Sequence, residues 1–115
     1  MSDRQSSAQP AIVPLPAEID ISNSESVGAT LGAACASGAG VVVADLTSTA
    51  FCDSSGIRSL LLAHDEAVAH DAQLRLAVQP DGMVLRMLTL MGLHRVLQVY
   101  VSLDDATAAQ VDRAP

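Results

Sequence analysis

Phe51-Cys52-Asp53-Ser54-Ser55-Gly56-Ile57 sets two adjacent hydroxyls between a carboxylate and a glycine. Upstream lies the apolar run Val41-Val42-Val43-Ala44-Asp45-Leu46; downstream, Ile57, Leu60, Leu61 and Val68 recur at helical spacing. Strand, short loop, Asp-Ser-Ser-Gly, helix: this order brings both hydroxyls to a helix N-terminus. Unpaired N–H groups and the positive end of the helix dipole favour an anionic group there. Two chemistries fit Ser54 in that place. It can cap the helix, or it can accept a phosphate that the N–H groups stabilise without unfolding the chain. Ser55 reads as structural, orienting the turn, and Gly56 as a point of close backbone packing.

Other constellations compete with this one. Asp20 and Asp53 invite a reading as paired catalytic carboxylates, but no activating His or metal ligand is spaced to serve them. Ser54, His64 and an Asp imitate a triad, yet nothing resembles G-x-S-x-G. A phosphate-binding loop lacks both a second nearby glycine and any lysine. Cys35 and Cys52 stand far apart with no C-x-x-C, and His64, His70 and His94 form no metal-binding pattern. Both thiols read as structural; a redox disulfide is the alternative, should the loop of Cys52 lie against the helix of Cys35. Met83, Met87 and Met91 make a stripe at i, i+4 spacing that suits either core packing or an adaptable contact surface.

The elements that must position these residues follow from period and punctuation. Residues 1–10 read as a flexible tail or weak edge strand. Ala11–Leu15 is a short apolar run that Pro14 and Pro16 confine to a sheet edge. Ser22-Asn23-Ser24 offers capping residues to a helix running to about Ser37, with Val27, Leu31 and Ala34 inward, stopped by Gly38-Ala39-Gly40. Val41–Leu46 is a strand buried on both faces, and Thr47–Cys52 a connecting loop. The helix after Gly56 runs to about Asp71, with Arg58, Asp65 and Glu66 outward. Leu74–Val78 is a strand, Gln79-Pro80-Asp81-Gly82 a turn, and Met83–Leu90 a helix ended by Gly92. Val96–Val101 is the last strand. Ser102-Leu103-Asp104-Asp105 has a capping-box pattern, with Asp for the usual Glu, opening a helix toward Val111. The alternation calls for a single α/β domain over residues 11–110: a mainly parallel sheet of four to five strands covered by about four helices, with 111–115 as a tail.

Composition narrows the function classes. The chain has 115 residues, enough for one domain with a real core, and 50% of them are hydrophobic, against global disorder. Aromatics are 2%, only Phe51 and Tyr100, which removes the stacking platform used for single-stranded nucleic acid. Net charge is −7, and the six basic residues are all Arg (Arg4, Arg58, Arg75, Arg86, Arg95, Arg113) without clustering. Nucleic-acid binding along a basic stripe is therefore not expected, whereas partners with basic patches are. The polar start, Met1–Pro10, reads as no signal peptide, and the Gly-broken uncharged stretch Ser26–Ala44 does not suit a membrane span, so a cytoplasmic setting is expected.

Asp45-Leu46, Phe51, then Asp53-Ser54-Ser55-Gly56-Ile57 with Leu60, resembles the signature of STAS domains, and among them the small stand-alone bacterial anti-sigma factor antagonists. Leu85-x-Met87-Leu88, Gly92-Leu93, an apolar strand and Ser102-x-x-Asp105-Ala106 extend the match. Glu18-Ile19-Asp20 resembles the family's Gly-Glu-Leu-Asp. Together these span about residues 11 to 108. Pro16-Ala17 in place of a small Gly, Thr49 where an apolar residue is common, and a short proline-containing N-terminal region depart from the pattern; the last predicts a truncated or irregular opening hairpin.

The resemblance implies a protein–protein switch in transcription regulation: the antagonist binds an anti-sigma factor, a histidine-kinase-like serine kinase, and so frees a sigma factor. Phosphorylation of a serine turns the antagonist off and a serine phosphatase restores it. By position the phosphoacceptor is Ser54, and Asp20, Asp53, Ser54, Ser55, Gly56 and Arg58 form the partner-binding set. No catalysis by this chain, no cofactor, no metal, no membrane contact and a monomer are expected. A second class is an accessory subunit of a lipid- or solute-transport ATPase, because STAS-like domains also resemble such components. Small-nucleotide or lipid binding near Ser54 is a third.

Overall fold

Val41–Leu46 (β3) forms the strand its apolar run predicts, and its residues alternate between two packed faces. The computed structural model describes residues 9–109. Around β3 lie Ala11–Pro14 (β1), Gln73–Val78 (β5) and Gln98–Tyr100 (β6), in the order β1-β3-β5-β6 with every pairing parallel. The register sets Ile12 against Val43 and Val43 against Arg75, so each row across the sheet points to one face. Pro14 lies in the edge strand β1, where its missing N–H interrupts no interior ladder.

Three helices cover one face: Ser24–Cys35 (α1), Ser54–Ala69 (α2) and Met83–Leu90 (α3). Val27, Leu31, Ile57, Leu60, Ala63, Val84 and Leu88 there meet Val42, Ala44, Leu46, Leu74, Leu76 and Val78 of the sheet. On the opposite face the six-residue helix Leu103–Ala108 (α4) seats Ala106 against Val43 and Ala77. Parallel strands need such crossover helices, and the sheet accordingly buries apolar side chains on both sides.

Several expectations shift. Within residues 47–52, expected to be loop, Phe51–Cys52 (β4) pairs in parallel with Glu18–Ile19 (β2) as a second, two-stranded sheet. Two residues are too short to show a period, so the pattern was invisible. Helix α2 starts at Ser54, not after Gly56. Val68, expected inward, is 62% exposed, while Ala63 and Ala67 hold the buried positions of the last turns. The last strand is shorter than Val96–Val101; both of those end residues are about half exposed. In α3 the core positions are Val84 and Leu88, and the methionine stripe is half-buried at Met83 and Met87 and exposed at Met91. Asn23 caps α1 by backbone position alone. Its side chain turns back instead, accepting from Asp20 N at 2.9 Å and donating to Glu18 O at 2.8 Å. Ser102 Oγ does accept from Asp105 N, at 3.0 Å, as the capping pattern requires. Helix α4 ends at Ala108, and the first eight residues of the expected tail 1–10, together with 111–115, lie outside the described residues.

Arg75 is the largest fully buried side chain among the described residues, at 1% exposure, on the α4 face of the central strand β5. Its Nη1 donates to Ala106 O at 3.0 Å and Ala109 O at 2.7 Å, and its Nη2 to Gln73 Oε1 at 3.1 Å. The guanidinium also lies 6.0 Å from the Tyr100 ring centroid. A strand cation thus satisfies carbonyls at the end of a helix too short to stand alone. Arg75→Leu should lose about 2 kcal/mol of stability, because it leaves the Ala106 and Ala109 carbonyls without their donor while relieving part of the cost of burying a cation. A urea midpoint unchanged by the substitution would contradict that assignment.

Candidate functional site

The small sheet β2–β4 is what assembles the site. Ile19 pairs with Cys52, and Asp53 N donates to Ile19 O at 3.1 Å, so the turn carrying Asp20 is fastened beside the start of α2. Ala50 N donates to Ala17 O at 2.8 Å, and the buried Thr49 donates its hydroxyl to Pro16 O at 2.8 Å. Thr49, the departure at an apolar position, is thus a tether between the two loops.

Asp53, not Ser54, is the N-cap of α2. Its Oδ1 accepts from Ser55 N at 2.9 Å, Gly56 N at 3.2 Å and Ser55 Oγ at 2.6 Å. The Ser55 hydroxyl, followed by the Gly56 and Ser55 amides, holds the Asp53 carboxyl below its ordinary value. A depressed folded value means the contact is present above the usual carboxylate range and is lost as pH falls through the lowered one. The Ser55 and Gly56 amide resonances should therefore titrate together with a midpoint below that of an ordinary Asp. In Asp53→Asn that titration should be absent, because an amide caps without ionising; if it persisted, another group would be responsible.

The two serines differ sharply. Ser55 spends its hydroxyl on Asp53, whereas Ser54 is exposed and its hydroxyl makes no hydrogen bond among the described residues. Gly56 is buried, and a Cβ there would sit 2.5 Å from Cys52 Sγ and 2.7 Å from Ile19 Cγ2. Gly56, expected among the partner-binding residues, therefore lies beneath the surface. Arg58 is exposed one helical turn beyond Ser54, with no ion pair among the described residues. Asp20 accepts at Oδ1 from the Ser22 amide at 2.9 Å and from the Ser22 hydroxyl. The turn thus collects Asp20, Asp53, Ser54, Ser55 and Gly56 in one region, with Arg58 on the following turn.

Asp20 and Asp53 each serve their own turn and share no hydrogen bond. Ser54 and His64 are ten residues apart on one helix, about 15 Å by the helical rise. No group of three His, Cys, Asp or Glu side chains among the described residues is placed to hold a metal ion. The thiols are separate as well: Cys35 Sγ lies 3.6 Å from Ala63 O, whereas Cys52 lies against Gly56, seven residues earlier on α2, about 10 Å by the same rise. Both are free and buried. Burial first, and then the Asp53 charge, push the Cys52 thiol up to about 11; burial and Glu66 raise Cys35. A shallow groove of about 270 Å³ lined by Pro80, Asp81, Gly82, Leu85, Arg86 and Thr89 lies at the start of α3, on residues other than those around Ser54.

Sequence reasoning missed two neighbours of the acidic turn. Ile21, next to Asp20, is 82% exposed, and Phe51, two residues before Asp53, is 41% exposed. An isoleucine between two turn-forming polar residues was the available signal.

Residues 3–106 match the model of the STAS domain, and the chain belongs to that family. Solved structures share the fold. An anti-sigma factor antagonist from Mycobacterium paratuberculosis is 24% identical, with a TM-score of 0.73 over 83% of this chain and 80% of that one. A Thermotoga maritima protein described as an anti-sigma factor antagonist is 18% identical, with a TM-score of 0.70 over 83% of each chain. The antagonist SpoIIAA in its unphosphorylated form is 19% identical, with a TM-score of 0.62 over 86% of each chain. A search of curated protein sequences finds no significant match. No helix among the described residues is long and apolar enough to cross a membrane.

Proposed function

We propose that this protein is an anti-sigma factor antagonist switched off by phosphorylation of Ser54. The observation that carries the reading is the asymmetry of the serine pair: an exposed Ser54 with an uncommitted hydroxyl beside a Ser55 bound to Asp53. The similarity in fold to antagonist structures supports the same role. In this reading the partner is an anti-sigma factor of the serine-kinase type, and a serine phosphatase reverses the modification. The chain is a substrate of both and catalyses nothing itself.

The contact surface is the acidic turn with its apolar flanks: Asp20, Asp53 and Ser54 with Ile21, Phe51 and Arg58. Asp20 and Asp53 each engage neighbours through Oδ1 alone, so Oδ2 of each is open to a partner Arg or Lys. Exposed Ile21 and Phe51 supply the apolar area that such charges need around them. A phosphate on Ser54 sets a bulky dianion where the partner's positive charge must approach two carboxylates, and it acts by local charge and sterics.

The transport-accessory reading differs in its partner. Tagged protein captured from its own cells should bring a kinase-type anti-sigma factor with it. A transport ATPase as the stable partner, with Ser54 unmodified, would replace the switch by the accessory role.

A further inference from the structure

The usual account of a phosphate at a helix start, stabilisation by the free N–H groups, meets an obstacle here. Asp53 Oδ1 already occupies the Ser55 and Gly56 amides, and Asp53 O takes the Ile57 amide at 3.0 Å. The helix end already holds its anion. A phosphate on Ser54 enters a region already negative from Asp53 and Asp20, and its compensating charge must come from a side chain. Among the described arginines, Arg75 is buried under α4, Arg86 stands at the start of α3 with its Nη2 3.4 Å from Asp81 O, and Arg95 lies on the short helical turn Leu93–Arg95. Arg58 alone belongs to α2. It lies four residues after Ser54, exposed like Ser54 and without an ion pair among the described residues. Residues i and i+4 share a helix face, and the anion-first, cation-second order is the favourable one.

We infer that Arg58 pairs in cis with the phosphate of phosphorylated Ser54, clamping it against the first two turns of α2. This rests on Ser54 as the phosphoacceptor. The guanidinium fork bridges two phosphate oxygens, a geometry that an ammonium cannot match. Phosphorylation then does two things at once: it adds negative charge at Ser54 and withdraws the positive charge of Arg58 from the partner-facing surface. The modification remains local, and Asp53 keeps its cap.

Phosphoserine incorporated at position 54 during translation tests the pairing without any kinase, so its outcome is separate from whether Ser54 is modified in cells. The second ionisation of the phosphate is followed by phosphorus NMR against pH, in otherwise unchanged protein and in Arg58→Gln. A nearby cation favours the dianion, so the ionisation should lie about half a unit lower with Arg58 present, roughly a threefold change in the dissociation constant. Arg58→Lys should keep part of the shift, and Arg86→Gln should leave it whole. Melting curves of the unphosphorylated variants check that the exposed substitution leaves the fold intact. Equal ionisation with and without Arg58 would overturn the pairing, as would an equal loss of the shift in Arg86→Gln.

Discussion

Ser54→Asp should bind the cognate kinase-type anti-sigma factor at least about 100-fold more weakly than wild type, and Ser54→Ala about as well as wild type. The magnitude follows from charge. Like charges forced together in an interface cost several kcal/mol, and each 1.4 kcal/mol is tenfold in affinity. The substituted carboxylate would stand next to Asp53 and beside the turn of Asp20, both of which offer the partner an open oxygen. The alanine variant removes only a hydroxyl that makes no hydrogen bond among the described residues. It should therefore remain an active antagonist that cannot be turned off. Isothermal titration against the kinase distinguishes the cases; a Ser54→Asp variant that binds as tightly as wild type would mean that charge at this position does not control the partner.

Gly56→Ala should destabilise the protein by about 3 kcal/mol, the upper part of the range for forcing a methyl into a filled core. Both atoms in the way are held by the small sheet: Cys52 Sγ on β4 at 2.5 Å and Ile19 Cγ2 on β2 at 2.7 Å. Ile19 and Cys52 are fully buried, so neither side chain has room to swing aside. Their strands also carry the turns of Asp20 and Asp53. The same substitution should therefore weaken partner binding even where enough protein stays folded to measure. Cys52→Ala in the Gly56→Ala background removes one of the two clashes and should recover part of the loss. Denaturant midpoints of the two single variants and the double variant give the coupling; strict additivity would mean that Gly56 and Cys52 do not press on one another.

The parts of the fold that were legible in the sequence share a property: each buries enough apolar residues in one pattern to be seen. Strand β3 is buried on both sides and shows as a continuous apolar run, and α1 shows as Val27 and Leu31 at helical spacing. What stayed hidden depends on partners distant in sequence. Strands β2 and β4 have two residues each and exist because Glu18 and Ile19 find Phe51 and Cys52. Nothing local to strand β5 shows that Arg75 is buried, because the carbonyls it serves, Ala106 O and Ala109 O, lie 31 and 34 residues later in the chain. At the site, Asp-Ser-Ser-Gly announced a helix start. The assignment of the cap to Asp53 needed the geometry, because either hydroxyl or the carboxylate satisfies the same local pattern. Gly56, read as a point of close backbone packing just ahead of the helix, lies inside the first turn of α2, where a side chain would collide with the neighbouring strands.

Ser54 should be the residue that receives the phosphate. Purified protein, its partner kinase and ATP, followed by mass-spectrometric mapping of the modified peptide, tests this directly. One phosphate on Ser54, none on Ser55, and no incorporation into Ser54→Ala is the expected result. Phosphate on Ser55, or undiminished incorporation into Ser54→Ala, would contradict the assignment of the switch to the exposed hydroxyl.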